Sequence, residues 1–257
     1  MISILTVVKI SEVQARSILN KSKIFDYCLN PYIGCSHGCR YCYAGLFMTR
    51  YSGHSEPWGQ FVDVKLNAPE LLRRQLPRAR RGTVWIASVC DPYQPVESRY
   101  QLTRKCLREL SRRAFPVFIQ TKSDLVVRDL DILKDLAELE VGFSIATDDD
   151  RTAALFEPGA PSVTRRLKAL EKIKAVNLRT FVFIGPILPQ NPEGLAGRLI
   201  GLADKVFIDR LNYTGQFINF YRSQGLLSCA SDDFFKQMKE RLVTELERSG
   251  LSFELIF

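Results

Sequence analysis

Three cysteines fall within eight residues, in the segment Asn30-Pro-Tyr-Ile-Gly-Cys-Ser-His-Gly-Cys-Arg-Tyr-Cys-Tyr-Ala44. The spacing Cys35-x-x-x-Cys39-x-x-Cys42 lets one loop offer three thiolates, enough to hold three irons of a cubane. The fourth iron then has no protein ligand nearby and can chelate a small molecule, as open metal positions do in catalytic sites. Gly34 and Gly38 suit a tight loop around a bulky group. A zinc knot is the alternative, with Cys28 or His37 as fourth ligand. Iron and sulfide contents after anaerobic reconstitution separate the two. The chain has seven cysteines in all. An odd number so clustered does not look like a disulfide framework, and in a reducing cytoplasm it more often holds metal.

Other residues carry chemistry by position. Lys122 ends an apolar strand, and a lysine there is rarely buried without a partner. Cys90 follows a strand and precedes Asp91-Pro92, which puts it at the same end as the cysteine loop. A reactive thiol and an inert packed one fit it equally. Glu97 and Glu157 each lie near a strand end and could bind ribose hydroxyls or an arginine. Cys28 fits the first strand, Cys106 an apolar helix face, and Cys229 has no clear place. His37 and His54 read as loop residues rather than catalysts, since neither shows a partner set. Five arginines in Arg73–Arg81 offer phosphate contacts, with a solvated helix end as the bland reading.

The elements that must position these residues alternate in type. Thr83–Val89, Phe115–Thr121, Val141–Ala146, Arg179–Gly185 and Lys205–Asp209 read as buried strands. Between them, Leu102–Arg113, the leucines from Leu130 to Leu139, the run after Ser162 with Leu167, Leu170, Ile173 and Lys174, and Leu195–Ala203 show helical spacing. Ser162 is the expected N-cap of its helix. Asp232–Ser249 reads as a long amphipathic helix closed by Gly250, with Leu251–Phe257 as a last strand. A first strand just before Cys35 brings the count to six βα units. Such repetition gives a parallel sheet with helices outside, and ligands gather at the carboxyl ends of its strands.

The bulk numbers suit this reading. The chain has 257 residues, 46% hydrophobic and 25% charged, ordinary for a globular protein. Its net charge of +8 suggests a polyanionic partner, and a solvated basic surface fits as well. No apolar run approaches the roughly 18 residues of a membrane helix. Met1–Val8 is apolar but short and lacks a basic leader, so a strand and a cytoplasmic location are expected.

The cysteine segment resembles the signature of the radical S-adenosylmethionine (SAM) superfamily, and its flanks resemble the spore photoproduct lyase-like branch. Asp91-Pro-Tyr-Gln-Pro-Val-Glu97, Thr121-Lys-Ser123, Arg128-Asp-Leu-Asp131 and Glu157-Pro-Gly-Ala-Pro-Ser162 resemble motifs of that branch, in its order. The likeness runs from about Asn30 to Pro189. It implies an α/β fold: a partial (β/α)6 TIM-like barrel of the radical SAM type with a C-terminal helical and strand extension. The implied division is an N-terminal extension over 1–24, a core over 25–210 and an extension over 211–257.

The resemblance also implies a [4Fe-4S] cluster on Cys35, Cys39 and Cys42, with SAM chelated at the open iron and cleaved to a 5′-deoxyadenosyl radical that abstracts hydrogen from a substrate. Lys122 would pair with the methionyl carboxylate, with Ser144 near the same group. Tyr41 and Tyr43 would shield the cluster and touch SAM. Cys90 matches the strand bearing the branch's hydrogen-donating cysteine, although an alignment through Asp91 puts that donor at Ser88. Gly159 stands where relatives carry a basic residue. The implied partners are an electron donor of the flavodoxin or ferredoxin type and a nucleic acid. A radical enzyme on a peptide or small molecule, and a non-catalytic iron-sulfur or zinc protein, are the alternatives. 5′-Deoxyadenosine production and salt-sensitive nucleic-acid binding discriminate among these.

Overall fold

The computed structural model describes residues 7–256. The strands are β1 (Lys9–Val13), β2 (Leu19–Lys21), β3 (Tyr27–Leu29), β4 (Tyr32–Ile33), β5 (Phe61–Lys65), β6 (Val84–Ile86), β7 (Val117–Thr121), β8 (Leu139–Ser144), β9 (Arg179–Ile184), β10 (Lys205–Ile208) and β11 (Phe253–Leu255). The main sheet has the order β11-β10-β9-β8-β7-β6-β3-β2. All its pairings are parallel except β2 with β3. The six expected strands are β3 and β6 to β10, and β11 extends the parallel set beyond β10. A small second sheet, β1-β5-β4, stands beside the cysteine loop.

The helices are α1 (Tyr43–Ser52), α2 (Ala68–Gln75), α3 (Glu97–Tyr100), α4 (Leu102–Ser111), α5 (Leu130–Leu133), α6 (Asp150–Phe156), α7 (Val163–Lys174), α8 (Pro192–Leu199), α9 (Thr214–Ser223) and α10 (Asp232–Ser249). Alternation along the strands divides the sheet into two faces. Val84, Ile86, Val117, Ile119, Val141, Phe143, Val182, Ile184, Val206 and Ile208 are buried in one core with leucines of α2, α4, α7, α8 and α10. The opposite face carries an aromatic row. Phe25 lies 4.7 Å from Phe118, Phe118 4.4 Å from Phe181, and Phe181 5.5 Å from Phe207, measured between ring centroids. The chain is thus an α/β partial barrel whose inner side is lined by rings.

Local signals set the ends. Ser162 caps α7 by accepting from the amide of Arg165 at 3.3 Å, and Ser231 caps α10 by accepting from Phe234 at 3.1 Å. Gly250 closes α10 in the left-handed region. The expected helix through Leu139 is corrected: α5 stops at Leu133, and Leu139 opens β8. Leu136 is still buried, from a turn rather than a helix, so leucine spacing alone gave the wrong period. The strand expected at Met1–Val8 lies mostly outside the described residues. Among the described residues, no helix is long and apolar enough to cross a membrane.

Candidate active site

The cysteine loop leaves the carboxyl end of β3, and the segments after β6, β7 and β8 meet it there. Gly34 and Gly38 take φ of 83° and 58°, a region that favours glycine. The buried Gln94 pins the loop, accepting from the amide of Ser36 at 2.9 Å and donating to the carbonyl of Gly34 at 3.1 Å. Asn30 holds the facing segment, donating to Ser88 Oγ at 3.1 Å and accepting from the amide of Val89 at 3.0 Å. Tyr43 donates its hydroxyl to the carbonyl of Ser88. The Cys90 thiol lies 3.6 Å from the carbonyl of Tyr32.

Asp91 ties these pieces together. Its amide donates to Cys35 Sγ at 3.4 Å. Its carboxylate accepts from Thr121 Oγ1 at 2.6 Å, the Lys122 amide at 2.7 Å and the Tyr93 amide at 2.8 Å, and lies 3.4 Å from His37 Nδ1. Burial disfavours the ionised carboxylate, but the His37 ring and these donors outweigh it and hold the carboxyl at about 2. His37 and His54 lie in loops, as expected, but the absence of partners is corrected. His37 is buried against Asp91, and His54 sits between Glu56 (3.1 Å) and Asp63 (3.0 Å). Their partners, Asp91 and Glu56 in loops and Asp63 within β5, follow no local pattern. The motif from Asp91 to Glu97 is a bracket in which Asp91 and Gln94 hold the cysteine loop. Glu97 accepts the Tyr32 hydroxyl, the amides of Thr103 and Arg104, and Arg128 at 2.8 Å.

Behind Cys39 lies a buried charged group. Lys122 Nζ stands 3.8 Å from Glu157 Oε1 and 5.7 Å from the centroid of Tyr41. The Tyr41 hydroxyl donates to Glu157, and Arg166 pairs with its other oxygen. Arg166 also donates to the carbonyls of Pro161 at 2.9 Å and Ser144 at 3.0 Å. Ser144 Oγ accepts from Gln120 at 2.9 Å. Lys122, Tyr41 and the Ser144 backbone thus come together, joined by Glu157 and by Arg166. Arg166 falls three residues after Val163 and one before Leu167, on the apolar face of α7, and that placement is the signal that could have found it.

Burial pushes the thiols of Cys35, Cys39 and Cys42 upward, with Cys39 at about 12. Burial opposes the Lys122 ammonium, but the neighbouring Cys39 and Glu157 outweigh it and raise its pKa. Among the described residues, no three His, Cys, Asp or Glu side chains close around a single ion-sized point. A cubane asks for a different arrangement, one thiolate at each of three corners.

Residues 29–197 match the profile of the Radical SAM superfamily. The chain belongs to that superfamily. This radical SAM enzyme is 34% identical over 229 residues to an uncharacterized protein of Methanocaldococcus jannaschii, covering 88% of this chain and 81% of that one. Its fold matches spore photoproduct lyase complexed with dinucleoside spore photoproduct at a TM-score of 0.68 and 14% identity, over 96% of this chain and 82% of that one. Streptococcus suis SuiB bound to precursor peptide SuiA matches at 0.60 and 14% identity, over 98% of this chain and 49% of that one. At these identities the two likenesses are of fold.

The arginines at 73–81 lie elsewhere. They precede β6, and Arg81 reaches the carbonyl of Ala114 and the carboxylate of Glu138, which precede β7 and β8. That is the amino end of the sheet, opposite the cysteine loop.

Proposed function

We propose that Cys35, Cys39 and Cys42 hold a [4Fe-4S] cluster with one open iron, and that this radical SAM enzyme binds SAM there. The observation that carries the reading is a loop of three thiols at the carboxyl ends of parallel strands, with the ammonium of Lys122 beside Cys39. The donor set fits: three thiols on one glycine-shaped loop, one of them receiving the Asp91 amide, and hydrogen bonds to sulfur are a known lever on cluster potential. Such a cluster, when reduced, supplies the electron that splits SAM into methionine and a 5′-deoxyadenosyl radical.

The chain's own residues do the rest. Lys122 receives the methionyl carboxylate, and the carbonyl end of β8 at Ser144 bounds the same space. The rings of Tyr41 and Tyr43 cover the loop and exclude water from it. Cys90 is the candidate hydrogen donor. Burial pushes its thiol up to about 12, so it keeps its hydrogen at neutral pH, as a hydrogen-atom donor must. A reductant of the flavodoxin or ferredoxin type would serve such an enzyme in a reducing cytoplasm.

The substrate reading favoured by the +8 charge is a nucleic acid. Because Arg73–Arg81 lies at the far end of the sheet, it would anchor a long polyanion rather than present the reacting group.

The deciding experiment is anaerobic reconstitution followed by reduction with SAM present. Four irons and four sulfides per chain with 5′-deoxyadenosine formed are expected. Tightly bound zinc without sulfide would overturn the reading. Cys90→Ala should retain SAM cleavage and lose product, and unchanged product would remove Cys90 from the chemistry. Salt-sensitive binding of DNA or RNA tests the substrate class; its absence would favour a peptide or small molecule.

A further inference from the structure

The charged group behind Cys39 contains more than SAM binding by Lys122 requires. Glu157 is buried, and two cations face it. Arg166 is as buried as Glu157, each with 1% of its side chain exposed, while Lys122 keeps 15%. A carboxylate in such a place must be paired, since a buried charge stripped of its partner is strongly destabilising. Which cation pairs with it decides where Lys122 points.

Geometry gives Glu157 to Arg166. The guanidinium is fixed by three separate contacts: the Pro161 carbonyl, the Ser144 carbonyl and the Glu157 carboxylate. Its planar fork loses little freedom in being so held. Tyr41 occupies the other carboxylate oxygen. Lys122, a compact charge on a flexible stem, stands off at 3.8 Å, beyond hydrogen-bond distance. Its N–H donors stay available.

We propose that Arg166 is a positioning residue: by holding Glu157 it keeps the Lys122 ammonium free for the carboxylate of SAM. This rests on the reading of Lys122 above. Without Arg166, Glu157 draws Lys122 down into a direct ion pair, and SAM loses its counter-charge. The pair has a second effect. Two cations and one carboxylate leave one net positive charge beside Cys39, which favours the more negative, reduced state of a cluster bound there. Arg166 and Glu157 therefore push the cluster potential in opposite directions.

The test uses the reconstituted full chain and measures SAM binding by equilibrium dialysis, and the cluster midpoint potential in the absence of SAM. Lys122→Met and Arg166→Met should each weaken SAM binding by about tenfold or more, a difference of about 1.4 kcal/mol. Arg166→Lys should recover most of the loss. Arg166→Met should move the potential more negative and Glu157→Gln more positive. The double variant Glu157→Gln/Arg166→Met has no carboxylate to capture Lys122, so it should bind SAM nearly as the unaltered chain does. It also serves if Arg166→Met alone does not fold. Persistent weak binding in the double variant would overturn the proposal, because Arg166 would then be acting on SAM directly. So would potentials shifted in the same direction, which a general loosening of the fold gives. Unchanged SAM binding in Lys122→Met would instead overturn the reading of Lys122.

Discussion

Gly159→Ala offers a severe test of how the cysteine loop is held. Gly159 donates its amide to the carbonyl of His37 at 2.9 Å, so two backbones run side by side there. A Cβ at position 159 would lie 2.2 Å from the Ser36 carbonyl oxygen and 3.0 Å from His37 Cα. Ordinary contacts between such atoms are about 3.5 Å, so more than an ångström of overlap must be relieved. The obstructing atoms are backbone, between Cys35 and Cys39, and no rotamer change can clear them. Overpacking of this kind costs about 1–3 kcal/mol, or several degrees of Tm at about 2–4 °C per kcal/mol for a chain of this size. The relief must come from the loop, so bound iron and sulfide per chain should fall along with Tm. Gly197→Ala is the control, since a Cβ there meets nothing within 4 Å and lies in α8. It should be neutral or stabilising by up to about 1 kcal/mol. Full iron loading and an unchanged Tm in Gly159→Ala would refute the claim that this approach holds the loop.

Three further outcomes are expected. Glu97→Ala removes the acceptor of Tyr32, Arg128 and two backbone amides, and should destabilise the chain in denaturant unfolding by about 1–3 kcal/mol for each buried donor left unpaired, Arg128 excepted because it keeps Asp129. Ser162→Ala removes the cap of α7 and should cost about 1 kcal/mol in the same measurement, with SAM cleavage retained. Arg73→Glu/Arg78→Glu/Arg80→Glu should leave 5′-deoxyadenosine formation unchanged, since these exposed side chains lie at the amino end of the sheet, while abolishing salt-dependent nucleic-acid binding measured by fluorescence anisotropy.

The parallel strands were legible because each is a short apolar run with a helical pattern behind it, and because both faces of the sheet are covered. The same runs hid which residues face inward: nothing in Thr83–Val89 marks Trp85 as a neighbour of the inner row, its ring centroid 5.7 Å from that of Phe25. The end of α5 was not legible, since Leu130, Leu133, Leu136 and Leu139 keep a helical spacing that tertiary packing overrides. The cysteine loop was legible from its spacing. Glu157 is expected near a strand end, with either ribose hydroxyls or an arginine as its partner; it instead closes α6, and its partner is an arginine. Which arginine it binds was not legible. Arg165 and Arg166 are adjacent, and only the helical face separates the exposed one, paired with Asp124, from the buried one. The partnership of His37 with Asp91 spans 54 positions and has no local signal. At Gly159 the structure shows that the space a side chain would need is taken by the backbone of Ser36 and His37.

The order of the main sheet has a consequence for how the protein is made. From β3 to β11 each parallel strand lies beside the one that precedes it in its sheet, so spatial order repeats chain order. A chain emerging amino end first can then add one strand at a time to an existing edge, each unit needing only its predecessor. The growing edge stays unpaired until the next strand arrives, and open edges invite pairing with other chains. The last such edge, β10, waits for β11, which follows the 18 residues of α10. A chain cut short within α10 therefore keeps β10 unpaired on the side that β11 covers, and it should aggregate more readily than the full chain.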